Sequence, residues 1–431
     1  MEVRRLPLPR ASVFPLESKA SRLVSVDPPQ TRPPLPPGLS GRVLLQRQGT
    51  HRCLQGHPWI YRSELAQIEG DPRDGDCVEA RSSRGERIGS GIWSSRSQIS
   101  IRLYSRREEP FAGPLLSGKL DAALAYRDAL GVLEPRNADA ARLVWSESDG
   151  IPGLVVDRYQ EWLVVQLLTA GMERRAGEIL SLLQEKTGLS RIVLRNDAPV
   201  RLQEDLPLEK KILSGNYSDP LWIRQNGVLL PARLLDGQKT GLYLDQSANY
   251  AEVSSLAAGR RVLDLFSYQG AFSLFCAAAG AVFCTAVDQS AAALGAGRAA
   301  AEKAGAAIEW VEGNVFDWLR KAQQTKEPSD LITLDPPSFT KTKAQHPAAL
   351  RGYHELHLRA LRLLAPGGIL ASFCCSHHFT LGEWKEMIGR SSWEADVALR
   401  LRKTLGQALD HPILPTIPET EYLKGCLVER A

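Results

Sequence analysis

The sequence predicts an α/β protein with a doubly wound, Rossmann-like sheet in its C-terminal half, preceded by a small β-barrel and an α+β module. Three observations support this prediction. Beyond residue 236, near-continuous apolar strands alternate with helices, a pattern typical of a parallel sheet covered on both faces. Residues 42–113 contain short β-like runs separated by glycine and turn sequences. Residues 114–235 mix strands and helices, as a compact α+β domain does.

Composition excludes several classes of protein. With 431 residues, 43% hydrophobic and 24% charged, the chain falls in the range of multi-domain globular proteins. Its longest apolar stretch, 271–287, is interrupted by Gly280 and reads better as a buried helix and strand than as a membrane span. The seven cysteines have no C-x-x-C spacing, which argues against a zinc ribbon or disulfide framework and favours a reducing, cytoplasmic location.

The N-terminal 41 residues are predicted to be a disordered leader, because nine of the 27 prolines fall within the first forty. No secretory signal is evident, but an organelle transit peptide stays open. Residues 1–40 carry six basic and three acidic groups, and residues 41–109 carry twelve and nine. The whole positive excess of a chain with net charge +4 therefore lies in its first quarter, which indicates either a polyanion-binding region or a solvated surface.

The elements follow in order. The barrel domain is expected to contain strands at 43–45, 77–80, 87–93 and 99–104. The middle domain is expected to contain helices at 119–130 and 173–187, with strands at 143–146, 153–156, 162–168 and 191–194. The C-terminal domain is expected to alternate strands 261–265, 281–287, 308–312, 330–334 and 369–373 with helices 271–279, 291–303, 315–321 and 347–364.

Ligands of such sheets bind beyond the carboxyl ends of the strands, so the residues following each strand are informative. The first strand continues into 264–273, where Gly270 permits a tight turn before a helix N-terminus. The G-x-G-x-x-G pattern of dinucleotide sites is missing, which disfavours pyrophosphate binding. An acid at Asp264 suits a ligand with a cationic amino-acid end, namely S-adenosylmethionine.

The later strands deliver further polar residues to the same edge. Asp288 is placed to accept hydrogen bonds from ribose hydroxyls, although it could instead cap a helix. Asn314 could bond an adenine edge or cap the following helix. The fourth strand ends in Asp335, whose direction two prolines fix, and the fifth ends in Cys374 and Cys375.

This set of motifs resembles that of class I S-adenosylmethionine-dependent RNA methyltransferases. More narrowly, the chain is similar to large-subunit ribosomal RNA cytosine-carbon-5 methyltransferases that carry an N-terminal PUA domain. Blocks at 57–60 and 97–99 match the PUA part, 150–157 the middle module, and 237–246, 410–412 and 422–425 the catalytic domain. The resemblance covers about residues 42–431.

The resemblance implies a covalent mechanism, in which Cys375 adds to carbon 6 of a cytosine while Asp335 holds or protonates N3. The target base must leave its stack to react. The implied partner is large-subunit ribosomal RNA. The implied cofactor residues are Asp264, Phe266, Ser267, Tyr268, Gly270, Asp288, Asn314 and Gln246, and the implied RNA-binding residues are His57, Trp59, Lys239 and Lys424.

Because successive strand residues face opposite sides, only one of Cys374 and Cys375 can face the cofactor. The family places its cysteine directly before a serine, which favours Cys375; a metal site is disfavoured because adjacent ligands suit tetrahedral coordination poorly. Ser247 stands where the family usually has arginine, and Ser338 lies where other RNA cytosine methyltransferases carry a second cysteine.

Two other functions stay open from the sequence. One is a ribosomal RNA methyltransferase that acts on a ring nitrogen of guanine or adenine, and the other is a non-catalytic RNA-binding assembly factor. The modified nucleotide, the choice between naked RNA and an assembled subunit as substrate, and a homodimeric state are also open.

Overall fold

The computed structural model describes residues 34–133, 139–325, 327–340 and 342–431. Most of the predicted leader, residues 1–33, lies outside them. Near the other end of that segment, Leu39 is buried and the backbone N–H of Ser40 donates to the carbonyl of Cys77. The chain is therefore packed against the N-terminal domain slightly before the predicted boundary at residue 41.

The N-terminal domain contains one six-stranded sheet in the order β2-β6-β5-β4-β1-β3. Strands β1 and β4 pair in parallel and the other neighbours are antiparallel. Alternating apolar residues such as Val43, Ile60 and Ile101 face its core. Its elements are β1 Gly41–Leu45, α1 Arg47–Leu54, β2 Trp59–Tyr61, β3 Leu65–Gly70, β4 Cys77–Arg81, β5 Arg87–Trp93 and β6 Ile99–Ser105.

The middle domain is a five-stranded sheet in the order β11-β10-β9-β8-β7, with helices beside it. A separate hairpin follows, whose turn is formed by Asn226 and Gly227, both at positive φ. The elements are α2 Pro114–Ala129, β7 Ala140–Trp145, β8 Leu154–Tyr159, β9 Trp162–Leu167, α3 Ala170–Glu173, α4 Ala176–Thr187, β10 Arg191–Asn196, β11 Glu209–Ser214, β12 Leu221–Gln225 and β13 Val228–Ala232.

The C-terminal domain contains a seven-stranded sheet in the order β16-β15-β14-β17-β18-β20-β19. The first five strands of that order are parallel, and β20 is antiparallel to both of its neighbours. The elements are α5 Ser247–Ser254, β14 Arg261–Leu265, α6 Ala271–Ala278, β15 Phe283–Asp288, α7 Ala291–Ala304, β16 Ile308–Glu312, α8 Val315–Thr325, β17 Ser329–Leu334, α9 His346–Leu363, β18 Leu364–Cys374, α10 Leu381–Ala395, β19 Leu399–Gly406 and β20 Lys424–Arg430.

Helices cover both faces of this sheet, as the alternation of its strand residues requires. Val262 packs in a cluster with residues of α5, α6 and α7, whereas Leu263 packs in another cluster with residues of α8, α9 and α10. This confirms the predicted doubly wound α/β architecture. Among the described residues, none of the helices combines the length and apolarity that crossing a bilayer needs.

Two apolar clusters extend across domain limits. One contains Tyr159 and Val193 of the middle domain together with Val262 and Leu331 of the C-terminal sheet. Another contains Ile92 of the N-terminal sheet together with Leu154 and Ile179 of the middle domain. The middle domain therefore shares its core with both neighbours.

Candidate active site

A cavity of about 310 Å³ lies at the carboxyl ends of β14, β17 and β18. This is where ligands bind in doubly wound sheets, and the volume is in the range of small-molecule sites. The C-terminal domain supplies most of the wall, and the β12–β13 hairpin adds Gln225 and Leu230. The polar and aromatic residues on the wall include Lys239, Tyr243, Asp245, Gln246, Phe266, Ser267, Tyr268, Gln269, Asp288, Asp335 and Cys375.

The turn between β14 and α6 shapes one side of the cavity. Phe266 and Tyr268 both have positive φ, at 61° and 52°, and Gly270 follows at 68°. A Cβ on Gly270 would lie 2.6 Å from ring atoms of Trp310, so this position needs glycine for space as well as for conformation. The turn places Phe266, Ser267 and Tyr268 on the cavity wall.

Two polar groups beside this turn can bind a ligand. Ser267 Oγ is buried, and no described residue lies within hydrogen-bonding distance of it. The Asp288 carboxylate accepts bonds of 2.8 Å from the backbone N–H of Tyr268 and of Ser290, one on each oxygen. Each oxygen keeps a second lone pair for a ligand hydroxyl. These residues fit S-adenosylmethionine, whose ribose offers two hydroxyl groups and whose adenine suits the aromatic wall.

Asp264 and Asn314, which were predicted as cofactor residues, are not on the cavity wall. Asp264 is buried behind the cavity wall, where its carboxyl accepts hydrogen bonds from Ser273 N at 3.1 Å, Ser273 Oγ at 2.9 Å and Thr333 Oγ1 at 2.6 Å. Burial raises the pKa of Asp264 to about 6. Through these hydrogen bonds Asp264 connects β14 with the first turn of α6 and with β17. Asn314 Oδ1 accepts from Phe316 N and Asp317 N, which is the helix-capping alternative.

Asp335 stands at the carboxyl end of β17 on the cavity wall. Its Oδ2 accepts a 2.8 Å hydrogen bond from Gln246 Nε2. Burial, with a smaller contribution from the charge of Asp245, raises the pKa of Asp335 to about 7. Near neutral pH a large fraction of this carboxyl is therefore protonated and can donate a hydrogen bond.

The two neighbouring cysteines lie on opposite faces of the sheet. Cys375 lines the cavity, whereas Cys374 is fully buried in the cluster formed with α9 and α10. Burial raises the pKa of the Cys375 thiol to about 12, and the nearby carboxyl of Asp335 adds to the effect. Without a ligand the sulfur is therefore a neutral thiol, poorly reactive until a substrate arrives.

The segment that precedes α5 adds a charged group which the motif analysis did not single out. Asp245 is 2% exposed, and its Oδ2 forms an ion pair with Lys239 and accepts a 2.8 Å bond from Tyr422 OH. Burial opposes ionisation of Asp245, but the charges of Lys239 and His411 and these hydrogen bonds hold its pKa below the usual range. The sequence signal for Asp245 is its place in the 237–246 block, in which only Lys239 and Gln246 were predicted to be functional.

The middle domain holds this segment in place. Asp157 makes a two-bonded ion pair with Arg142, with both distances 2.8 Å, and accepts a 2.5 Å hydrogen bond from Thr240 Oγ1. Tyr159 OH contacts Thr240 Oγ1 at 3.0 Å and accepts from Leu242 N at 3.1 Å. The 150–157 and 237–246 blocks are therefore adjacent in space.

All four predicted RNA-binding residues make contacts within the chain. His57 Nε2 lies 3.2 Å from Glu419, and Trp59 Nε1 donates to Glu147 at 2.8 Å. Lys424 is buried, and its Nζ donates to the Ser376 carbonyl at 2.8 Å. Lys239 is the fourth: its side chain is 33% exposed and reaches the cavity. An RNA-binding role for these four residues stays a prediction.

Comparison with known proteins gives two family matches. Residues 43–106 match the model of a PUA-like domain, and residues 200–395 match the model of an S-adenosylmethionine-dependent methyltransferase. Two curated relatives, from Aeromonas salmonicida and Shewanella amazonensis, are each named ribosomal RNA large subunit methyltransferase I. Both are 36% identical to the chain, over 90% of its length and 98% of theirs.

Two solved structures have the same fold. A protein described as a methyltransferase, with bound SAH, superimposes with a TM-score of 0.78 at 20% identity, over 90% of this chain and 99% of its own. A protein from Streptococcus mutans, described as a SAM-dependent methyltransferase, gives 0.76 at 20% identity with the same coverage.

Proposed function

We propose, on the premise that the chain belongs to the ribosomal RNA large subunit methyltransferase I family, that it forms 5-methylcytosine in large-subunit ribosomal RNA. It is an S-adenosylmethionine-dependent methyltransferase with a PUA-like N-terminal domain. Carbon 5 of cytosine as the target and a covalent cysteine adduct are the parts that we add. We expect the enzyme to act in the cytoplasm, where large-subunit ribosomal RNA would be available as its substrate.

One observation carries the proposal: a cysteine and a carboxyl group share the wall of the cavity that fits the cofactor. Cys375 and Asp335 lie on that wall together with Phe266, Ser267 and Asp288. Methylation of a ring nitrogen needs no nucleophile from the protein, since the nitrogen has its own lone pair. Carbon 5 of cytosine is a weak nucleophile and needs activation, which a cysteine can supply.

The residues of the chain act in a defined order in this mechanism. The sulfur of Cys375, after losing its proton, adds to carbon 6 of the everted cytosine, and the electrons move to carbon 5. Asp335, which is protonated in a substantial fraction of molecules near neutral pH, stabilises the ring by donating a hydrogen bond to N3. Ser267, Asp288 and the aromatic side chains of Phe266 and Tyr268 would hold S-adenosylmethionine, which would supply the methyl group as an electrophile and leave as neutral S-adenosylhomocysteine. Transfer of the carbon-5 proton to solvent then restores the double bond between carbons 5 and 6 and expels the cysteine as a thiolate.

The neighbouring cysteines provide a matched test. Cys375→Ala removes the proposed nucleophile and should lower methylation of large-subunit ribosomal RNA by at least about a thousandfold, because no other group on the cavity wall replaces a covalent catalyst. Cys374→Ala changes the same side chain one residue earlier, on the opposite face, and should keep activity close to that of the unchanged chain.

Methylated cytosines are read by bisulfite sequencing after incubation of ribosomal RNA with each protein and S-adenosylmethionine. Activity of the Cys375→Ala variant at the level of Cys374→Ala would reject the covalent mechanism and favour attack by a ring nitrogen. Methylation that is absent from cytosine but present on a purine would reject the proposed product.

A further inference from the structure

Asp245 has an incomplete set of hydrogen bonds at the cavity wall. Its side chain is 2% exposed, and both of its partners, Lys239 Nζ and Tyr422 OH, reach the same oxygen, Oδ2. The other oxygen, Oδ1, is buried, and within the described part of the chain no donor reaches it. Buried carboxylate oxygens are almost always hydrogen-bonded, so this one indicates a missing donor.

The position of Asp245 relates that oxygen to the reacting base. The residue lines the same cavity as Cys375 and Asp335, and the next residue, Gln246, bonds directly to Asp335. Asp245 contributes to the raised pKa of both Asp335 and Cys375, after burial as the main cause. Asp245 therefore lies near the two groups between which the reacting cytosine would bind.

The charge states of the two carboxyl groups differ. Lys239 holds the Asp245 carboxylate ionised, while burial keeps a substantial fraction of Asp335 protonated near neutral pH. The wall of the cavity thus offers the Asp245 carboxylate, which can only accept hydrogen bonds, and the protonated Asp335 carboxyl, which can donate one. Cytosine presents the complement, an acceptor at N3 next to an amine donor at carbon 4. Uracil presents the reverse at both positions.

We propose that Asp245 Oδ1 accepts a hydrogen bond from the exocyclic amine of the target cytosine, and that Asp245 thereby selects cytosine over uracil. The inference rests on the proposed function and adds a specificity-determining residue to it. A site built to bond a polar substrate group discriminates strongly against an analogue that lacks it, because its own buried group is left unpaired.

The test replaces Asp245 and removes the amine in turn. In Asp245→Asn, the amide oxygen should occupy the Oδ2 position, because Lys239 and Tyr422 donate there. The amide NH₂ would then occupy the Oδ1 position and face the cytosine amine, donor against donor. The probes are two synthetic RNAs with the sequence that surrounds the methylated cytosine found by bisulfite sequencing. One carries cytosine at the target position. The other carries the 2-pyrimidinone ribonucleoside, which lacks the 4-amino group.

Single-turnover methyl transfer is measured for both RNAs with each protein. For each protein, the ratio of the rate on the cytosine RNA to the rate on the analogue RNA is calculated. This ratio should be at least about tenfold larger for the unchanged chain than for Asp245→Asn. In the unchanged chain, removing the 4-amino group removes a hydrogen bond to the charged carboxylate, whereas Asp245→Asn has no such bond to lose. Comparing the two proteins cancels the analogue's own reactivity. Asp236→Asn makes the same change at an exposed aspartate paired with Lys210 and should keep the original preference.

Several outcomes overturn the inference. An equal preference in the unchanged chain and in Asp245→Asn would do so. Equal rates of the unchanged chain on the cytosine RNA and the analogue RNA would also do so, and this measurement does not depend on whether a variant folds. The affinity for S-adenosylmethionine is measured by calorimetry. If Asp245→Asn lowers this affinity by the same factor as the rate of methyl transfer, the residue acts on the cofactor instead. Failure of the unchanged chain to methylate the cytosine RNA is a different result, which rejects the proposed function and this inference with it.

Discussion

Gly270 shows how one residue sets the geometry of the cofactor side of the cavity. The indole of Trp310 lies close to both Gly270 and Gly297, so that a Cβ on either would come within 2.6 Å of the ring. Gly270 also has φ of 68° at the start of α6. The residue is constrained twice, by its backbone conformation and by its neighbour.

Substituting Gly270 by alanine should therefore cost more stability than the same change at a glycine constrained only once. Gly305, at the end of α7, has φ of 64° and no atom within 4 Å of an added Cβ, so it serves as the control. Gly305→Ala should cost about 1 kcal/mol for the left-handed backbone, and Gly270→Ala about 1–3 kcal/mol more for overpacking. Denaturant unfolding measures both, and equal losses would show that Trp310 yields freely.

Asp335 predicts a pH dependence of stability. Its pKa in the folded protein is about 7, against roughly 3.9 for an unfolded aspartate. Between these values the folded state holds one proton more than the unfolded state, so stability falls as pH rises from about 4 to about 7. The slope contributed by one such group is at most about 1.4 kcal/mol per pH unit.

Asp335→Asn removes this titration while keeping an acceptor for Gln246. The free energy of unfolding should therefore decrease less between pH 5 and pH 8 in the variant than in the unchanged chain, as urea titrations at the two pH values would show. Asp264, whose pKa is about 6, contributes a similar slope to both proteins. Identical slopes for both proteins would mean that Asp335 is ionised throughout that range.

Eight of the 23 residues on the cavity wall were predicted from the sequence, six of them because they follow strands of a sheet with a known ligand edge. Asp288, Asp335 and Cys375 all belong to that set. The sequence could not separate wall residues from those one layer behind, as at Asp264, because the direction of a side chain depends on the packing of neighbouring strands. Asp245 was missed for a related reason: its role depends on Tyr422, 177 residues away.

At the scale of elements, the 237–246 segment is positioned by a strand of another domain. Tyr159, near the end of β8, anchors it through its hydroxyl, which bonds to Thr240 and Leu242. The segment in turn carries Lys239, Asp245 and Gln246 to the cavity. The middle domain thus acts on the active site without contributing a reacting group.

Tyr159→Phe should lower the rate of methylation by about tenfold, because each hydrogen bond lost costs about 1 kcal/mol and loosens the segment. The ring remains to fill the core, so the melting temperature should fall only slightly. Tyr104→Phe is the control: its hydroxyl donates to the Glu109 carbonyl in the N-terminal domain, far along the chain from this segment. A rate for Tyr159→Phe equal to that of Tyr104→Phe would show that the anchor has no influence on the site.

Several elements were predicted with accurate limits, whereas others, including helix α10 and strands β11, β12 and β13, were not predicted. Strand β14 has the predicted limits, and β16 does too. Helix α2 begins at Pro114, five residues before the prediction, because proline suits the first turn of a helix. Strands β19 and β20 were not predicted, since β19 is largely exposed and polar and finds its place only by pairing with β20.

At the scale of the whole molecule, the shared cores predict cooperative unfolding. Tyr159 and Val193 pack with Val262 and Leu331, and Ile92 packs with Leu154, so each domain buries part of its apolar surface against a neighbouring domain. Calorimetry of the full chain should give a single transition, in which all three domains unfold together. Well-separated transitions for the N-terminal and C-terminal domains would contradict this.

A truncated chain of residues 236–431 offers a second check on the same prediction. It keeps the entire C-terminal sheet but exposes the side of the shared cluster that the middle domain covers. We expect it to aggregate, or to melt at least about 10 °C below the full chain, since a loss of several kcal/mol lowers the melting temperature of a domain of this size by 2–4 °C per kcal/mol. A melting temperature equal to that of the full chain would reject the shared core.

The insertion of β20 between β18 and β19 has a consequence for biosynthesis. A ribosome releases β18 and β19 before β20, so the two cannot settle into their final spacing until Arg430 has been translated. Lys424, which secures the backbone next to Cys375, arrives in the same late segment. We therefore expect nascent polypeptides interrupted upstream of Lys424 to be inert, and the enzyme to become competent only once its own synthesis has passed that point.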